Sequence, residues 1–191
     1  MKRIVMSLAA VALAGGMMAQ SSRLSLGVEL AFPSGDWADF IGMGVGGTLG
    51  FEMPLGDKLG LMAQAGYLRF GGKEYEPAPG VTIESDGSGV APIQVGAKFY
   101  FSDNQEGAYL GLLTGLHMVA STTTNTAGEE VTETDSNFGV APLFGYILGE
   151  NIDLAVRYQM IFAEGVDDNF EETTVTNSYI GIRAAYMFGD R

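Results

Sequence analysis

Residues 177–188, NSYIGIRAAYMF, carry two different surfaces when read in twos. Ile180, Ile182, Ala184, Tyr186 and Phe188 are apolar or aromatic, whereas Tyr179, Gly181, Arg183, Ala185 and Met187 set a cation among small residues. Side chains of a β-strand alternate between faces with period two, so this stretch predicts a strand with one oily face and one narrow, polar face.

Seven upstream segments repeat the pattern. Residues 24–32 oppose Leu24, Leu26, Val28, Leu30 and Phe32 to Ser25, Gly27, Glu29 and Ala31. Residues 43–53 set Val45, Leu49 and Phe51 against Gly44, Gly46 and Glu52, and residues 59 to about 70 set Leu61, Ala63 and Tyr67 against Gly60, Gln64 and Gly66. The same alternation runs through residues 90–101, 108–119, 137–148 and 152–162, with Lys98, His117, Asp153, Arg157 and Gln159 on the polar side. Each predicted strand is about nine to twelve residues long, the length a tilted strand needs to cross the oil of a bilayer. Short turns at residues 54–58, 102–107 and 149–151 alternate with long polar connections at 71–89, 120–136 and 163–176.

The oily faces carry no charge. With 17% of the chain charged, several of those positions would be charged if the faces were random. Composition agrees with strands over long helices: 47% of residues are hydrophobic and 28 are glycine, and glycine costs roughly 1 kcal/mol per helical position relative to alanine. There is no cysteine, which excludes disulfides, a thiolate nucleophile and a lipid-modified N-terminal cysteine.

The N-terminus reads as an address. Met1-Lys2-Arg3 supplies positive charge, residues 4–14 form an apolar run too short to span as an ordinary helix, and small residues lead to Ala19-Gln20. This is the layout of a secretory signal peptide, so residues 1–19 are expected to be removed and residues 20–191 to form the folded domain. Without Lys2 and Arg3 the net charge of −13 becomes −15, which disfavours nucleic acid as a partner. No later segment approaches the roughly 18 unbroken apolar residues of a membrane helix.

In hydrocarbon every backbone amide must be paired internally, so strands cross only as a closed cylinder. An all-β, eight-stranded antiparallel up-and-down transmembrane barrel is therefore expected, with short turns on one side and long loops on the other. With the N-terminus on the turn side the aromatics fall into two rings: Phe32, Tyr67, Phe138 and Phe162 toward the loops, and Phe51, Phe99, Phe101, Tyr146, Tyr186 and Phe188 toward the turns. Such girdles mark the two interfaces of membrane barrels. An eight-stranded interior is just wide enough for side chains. Inside stand Glu29, Glu52 and Asp153 against Lys98, Arg157 and Arg183, a balance expected of charges that must pair when desolvated. Similar heights predict one cluster of Glu29, Arg157 and Arg183, with Glu52 reaching Lys98 across the lumen.

On these features the chain resembles the small eight-stranded outer-membrane barrels of the OmpX type and the N-terminal domain of OmpA, within the porin-family outer membrane proteins. The resemblance covers residues 21–188 and rests on architecture and the aromatic-ended last strand. It implies location in the outer membrane of a Gram-negative bacterium with both termini periplasmic. It also implies contact with outer-membrane lipids and lipopolysaccharide, and with the barrel assembly machinery through the last strand. Two departures stand out. Gly189-Asp190-Arg191 follow Phe188, where the family commonly ends on its aromatic, and no periplasmic cell-wall-binding domain is expected.

Chemistry is sparse. His117 is the sole histidine; it suits a base or a metal ligand, but Ser121 is assigned to a loop and no positioned acid is evident, so a luminal polar residue is the preferred reading. The glycines of residues 42–50 (GMGVGGTLG) lack the lysine and helix of a phosphate loop and suit a crowded lumen. No catalytic residue, metal or cofactor is expected. Most of the 23 acidic residues fall in the long connections: Asp36, Asp39, Glu74, Glu76, Glu84, Asp86, Glu129, Glu130, Glu133, Asp135, Glu164, Asp167, Asp168, Glu171 and Glu172, with Lys73 almost alone against them. They suit divalent-cation bridging to lipopolysaccharide, a basic partner, or a solvated surface. The expected function is a non-enzymatic role in envelope integrity, adhesion or surface recognition with the lumen plugged by charge pairs; the alternative is a small ion-conducting or solute-permeable pore. A soluble ligand-binding barrel would need the opposite faces in and out.

Overall fold

Ladder hydrogen bonds run from β1 (Arg23–Ser34) round to β10 (Glu172–Phe188) and back, closing an antiparallel barrel in a computed structural model that describes residues 22–78, 81–84, 87–124, 130–166 and 172–189. After β1 come a one-turn helix α1 (Trp37–Phe40), then β2 (Ile41–Pro54) and β3 (Leu59–Gly72). A separate hairpin, β4 (Glu74–Ala78) with β5 (Val81–Glu84), precedes β6 (Ser88–Tyr100), β7 (Gly107–Thr124), β8 (Glu130–Leu148) and β9 (Ile152–Val166). The barrel order is β1-β10-β9-β8-β7-β6-β3-β2, so eight strands enclose the lumen and β4–β5 lies apart. The first and last strands meet antiparallel, with Leu24 opposite Phe188.

The predicted faces hold except at Arg69, which continues the outward column of Leu61, Ala63, Ala65 and Tyr67 at the loop end of β3 and is exposed, where an uncharged face was expected. Leu24, Val28, Leu49, Ile93, Leu116, Phe144 and Ile182 are among the large apolar residues exposed on the outside, while Glu29, Glu52, Lys98, Asp153, Arg157 and Arg183 are buried inside. Two prolines interrupt the ladder. Pairing of β3 with β6 lapses between Ala65–Ile93 and Leu68–Val90, beside Pro92, and pairing of β8 with β9 lapses between Val140–Met160 and Leu143–Arg157, beside Pro142. Proline has no N–H to give.

The long connections differ from expectation. Residues 120–136 and 163–176, expected as loops, are largely strand: β7 and β8 stay paired to Thr124–Glu130, and β9 and β10 to Val166–Glu172. Thr122, Thr123, Thr124, Thr132, Thr173, Thr174, Val175 and Thr176 are β-branched, and such residues fit a pleated ribbon in water as well as in lipid. Residues 71–89 likewise contain the β4–β5 hairpin. Residues 1–19 and the Ala19-Gln20 junction lie outside the described residues.

Candidate functional site

The inward columns of all eight strands converge on the barrel axis, and glycine decides how close they come. Gly145 leaves the space that the Tyr109 ring fills, and Gly44 does the same for Phe70. With ring faces pressed onto bare backbone, the remaining polar side chains are forced together in two layers.

The layer nearer the turns is centred on Lys98. Its Nζ donates to Glu52 Oε2 at 2.8 Å and to Asp153 Oδ2 at 3.1 Å, and it sits 4.4 Å from the centroid of the Tyr109 ring. Tyr100 donates to Glu52 Oε1, and Tyr109 to Asp153 Oδ1 at 2.5 Å. Arg183 Nη1 lies 3.2 Å from Asp153 Oδ2, with Nε on Thr48 Oγ1 at 2.8 Å and Nη2 on Ser25 Oγ at 2.9 Å. Arg23 closes the layer from below, its Nη2 3.0 Å from Glu52 Oε1. Each carboxylate therefore holds two cations and a phenol.

The layer nearer the loops is built on Arg157. Its Nη2 lies 2.7 Å from Glu29 Oε1 and donates to Tyr179 Oη at 3.0 Å, and its Nη1 donates to Gln94 Oε1 at 3.0 Å. Gln94 in turn donates to Gln159 Oε1 at 3.0 Å. His117 is fully buried beside this layer, its ring occupying the space that Gly139 leaves open.

Apolar groups fill what the charges leave. Toward the loops Phe70, Leu68, Val90, Ile161 and Tyr179 form a core under Trp37, whose ring centroid is 5.0 Å from that of Phe70. Toward the turns Tyr100, Tyr109, Leu113, Leu143, Ile147 and Met187 pack on one wall. Between the layers, an enclosed space bordered by Gln64, Lys98, Leu143 and Arg183 amounts to about 10 Å³, room for about one water molecule. Below Arg23 the barrel opens into a bowl of about 730 Å³ lined by Asp57, Asp103, Glu106 and Glu150.

The expected pairing is met in part. Glu52 does reach Lys98, and Glu29 reaches Arg157, but Arg183, although opposite Glu29 in register, turns away to Asp153. Ser25 and Thr48 hold it there. The expected cluster does not include Arg23 or the two phenols. Arg23 belongs to the same inward column as Ser25, Gly27 and Glu29, one residue before the predicted start of the strand, so extending the alternation by one step finds it. The ring aromatics face outward at the two ends: Phe138 stacks on Phe162 with centroids 6.5 Å apart on the loop side, and Tyr186 meets Phe188 at 4.8 Å on the turn side. Phe32, Tyr67, Phe99, Phe101 and Tyr146 are exposed, and Phe51 partly so.

At the loop end Asp36, Asp39, Asp135 and Glu164 are exposed. Lys73 Nζ donates to Ala38 O at 2.6 Å, tying the end of β3 to α1. Glu74, Glu76 and Glu84 fall in β4 and β5, Glu130 and Glu133 in β8, and Glu172 in β10. Asp86, Glu129, Asp167, Asp168 and Glu171 lie outside the described residues.

With this geometry established, comparison is informative. A family model described as outer membrane protein beta-barrel domain matches residues 5–188. Among solved structures, Ail, the attachment invasion locus protein of Yersinia pestis, is similar at 13% identity and a TM-score of 0.58, covering 88% of this chain and 99% of that one. OprG of Pseudomonas aeruginosa is similar at 11% identity and a TM-score of 0.55, covering 90% and 97%. The N-terminal β-barrel domain of OprF from the same organism follows at 14% identity and a TM-score of 0.52, covering 88% and 98%. Ail has also been solved with the heparin analogue sucrose octasulfate. No curated protein matches the chain.

Proposed function

The chain belongs to the family of outer membrane β-barrel domains, and from that premise we propose that it is a closed, non-enzymatic barrel of the Gram-negative outer membrane acting at the cell surface. Its role there is envelope integrity, adhesion or recognition. In this reading residues 1–19 are a cleaved signal peptide, both termini and the short turns are periplasmic, and the hairpin ribbons stand outside. Outer-membrane lipids and lipopolysaccharide surround the apolar belt between the aromatic girdles, and the last strand engages the barrel assembly machinery.

The observation that supports this reading is the filled lumen. Two polar layers and two apolar clusters occupy it in succession, and the paired charges act as a plug. An ion crossing would have to separate Lys98 from both carboxylates in a low-dielectric interior, where breaking a buried pair costs about 3–5 kcal/mol. The surface partner is expected to be cationic or bridged by divalent cations, because the loop end is acidic. A polyanion of the kind solved with Ail would be repelled.

Planar-bilayer recording of the refolded mature chain, beside Lys98→Ala, tests the proposal. Silence from a folded barrel of either kind supports it. Steady unitary currents that change with Lys98 would overturn it in favour of a small pore, with Lys98, Glu52 and Asp153 as its selectivity groups.

A further inference from the structure

Arg23 upsets the charge balance of the lumen. Among the described residues four cations are buried there, Arg23, Lys98, Arg157 and Arg183, against three carboxylates, Glu29, Glu52 and Asp153. The layer nearer the loops is neutral, with Arg157 facing Glu29. The excess therefore sits in the layer nearer the turns, where Arg23, Lys98 and Arg183 share Glu52 and Asp153. Asp57, Asp103, Glu106 and Glu150 line the bowl beyond Arg23, but all four are exposed, and water and salt screen them from charges deeper in the barrel. One buried positive charge is left without a buried counter-charge, which a low-dielectric interior tolerates poorly.

The enclosed space between the layers lies against that excess. It is bordered by Lys98, Arg157 and Arg183 and by a single carboxylate, Asp153. That carboxylate is already committed: Oδ2 accepts from Lys98 and Arg183, and Oδ1 from Tyr109. Donors, by contrast, are in surplus. Gln64 of β3 borders the same space; it is 5% exposed, and its Nε2 finds no hydrogen-bond partner among the described residues. Arg157 Nε is buried and unpartnered in the same way. Lys98 has three protons to give and places two of them on carboxylates. A water molecule would bring two further protons to a place short of acceptors. A monatomic anion brings none, is little larger than water, and cancels the one excess charge. The volume of about 10 Å³ admits one body of that size, so sulfate, phosphate and organic acids are too large.

We infer that this space is a binding site for one halide ion, held by the Gln64 amide and the Lys98, Arg157 and Arg183 cations. The inference rests on the closed-barrel reading and deepens it. The plug carries a resident anion that completes its charge pairing, and folding is thereby linked to halide.

The test is urea unfolding of the refolded barrel in detergent, with chloride replaced by gluconate at constant ionic strength, gluconate being too large for the space. A ligand that binds only the folded state raises the folding constant, so ten-fold more chloride should raise it by up to about ten-fold. Gln64→Glu supplies the missing negative charge from the wall and should lose this dependence. Arg23→Gln removes the excess charge from a residue that does not border the space, and should weaken it. Lys58→Gln, at an exposed cation of the turns, should keep it in full. Crystals of the native barrel grown in bromide should show one anomalous peak between Gln64 and Lys98. Equal chloride dependence in the native and Gln64→Glu barrels would reduce the effect to general salt action and overturn the site. Bromide crystals without a peak in this space would overturn it too, and that result decides even where Gln64→Glu does not fold. Neither readout involves conductance, so failure here leaves the closed-barrel reading intact, and unitary currents would overturn that reading while the halide dependence stood.

Discussion

Glu29 and Arg157 lie on strands that do not touch, β1 and β9, and their side chains meet at 2.7 Å over Gly181 of the strand between them. The arrangement depends on that glycine: a Cβ built there would collide with Glu29 Oε1 and approach Arg157 Cγ at 3.0 Å. Arg183 is nearer in register to Glu29, yet it bonds to the other layer. The lumen is thus sorted into layers by where side chains are absent as much as by where charges are.

Gly181→Ala should therefore destabilise the barrel by about 1–3 kcal/mol, the cost of overpacking a filled interior. Gly47→Ala is the control, because an added methyl there meets only Gly27 O at 3.8 Å. Urea midpoints in detergent, followed by heat-modifiable migration, check the pair; equal midpoints would show that the lumen can relax around Gly181.

Asp153 receives Lys98, Arg183 and Tyr109 together. Asp153→Ala takes from Arg183 its carboxylate partner and leaves Lys98 with Glu52 alone, and should cost about 3–5 kcal/mol. The double variant Asp153→Leu with Lys98→Met removes a charge of each sign, leaving Glu52 still paired with Arg23, and should recover part of that loss, since a packed apolar replacement of a buried pair is often neutral. Equilibrium unfolding of both variants in the same detergent measures the difference.

How much of this was legible follows from the period of a strand. Alternation identified the faces, the strand count and the inward charges, because every residue from Leu24 to Phe188 in a strand must point in or out. Alternation is silent on which inward charge reaches which. Arg183 pairs with Asp153 because Ser25 and Thr48 are within reach of its other nitrogens, and that depends on stagger between strands. The ribbons beyond the belt were hidden for a different reason: once both faces are wet, the apolar signal that marks a strand disappears while the hydrogen-bonding reason for one remains. Trp37 over the lumen was hidden too, since it follows a turn whose direction no periodicity fixes.

At the turn end, Gln105 holds a left-handed backbone, φ 54°, and its amide donates to Gly56 O at 2.8 Å and Leu59 O at 2.9 Å. Its side chain ties the β6–β7 turn to the β2–β3 turn. Gln105→Ala should lose both bonds while keeping the unfavourable φ, costing about 1–3 kcal/mol. Gln105→Gly should cost roughly 1 kcal/mol less, because glycine adopts that conformation freely. Chemical unfolding distinguishes them; if Ala and Gly destabilise equally, the backbone is not what the position strains.

One of the two interruptions in the barrel wall lies where β8 and β9 pass Pro142. Without an N–H at Pro142 the ladder lapses there, and Gln159 reaches out from the lumen to compensate, its Nε2 donating to Val140 O and Met160 O at 3.2 Å each. The same side chain accepts from Gln94, so it couples the wall to the Arg157 layer. Gln159→Met keeps the volume and removes the donor. It should leave Val140 O without its side-chain donor, lower stability by about 1–3 kcal/mol, and speed amide hydrogen exchange at Tyr158 and Leu143 relative to strands β7 and β10. Pro142→Val restores a donor facing Tyr158 and should slow exchange at the same amides. Exchange that is uniform along β8 and unchanged in both variants would mean that the seam is held by packing of Phe144 and Val156 outside and not by the Gln159 amide.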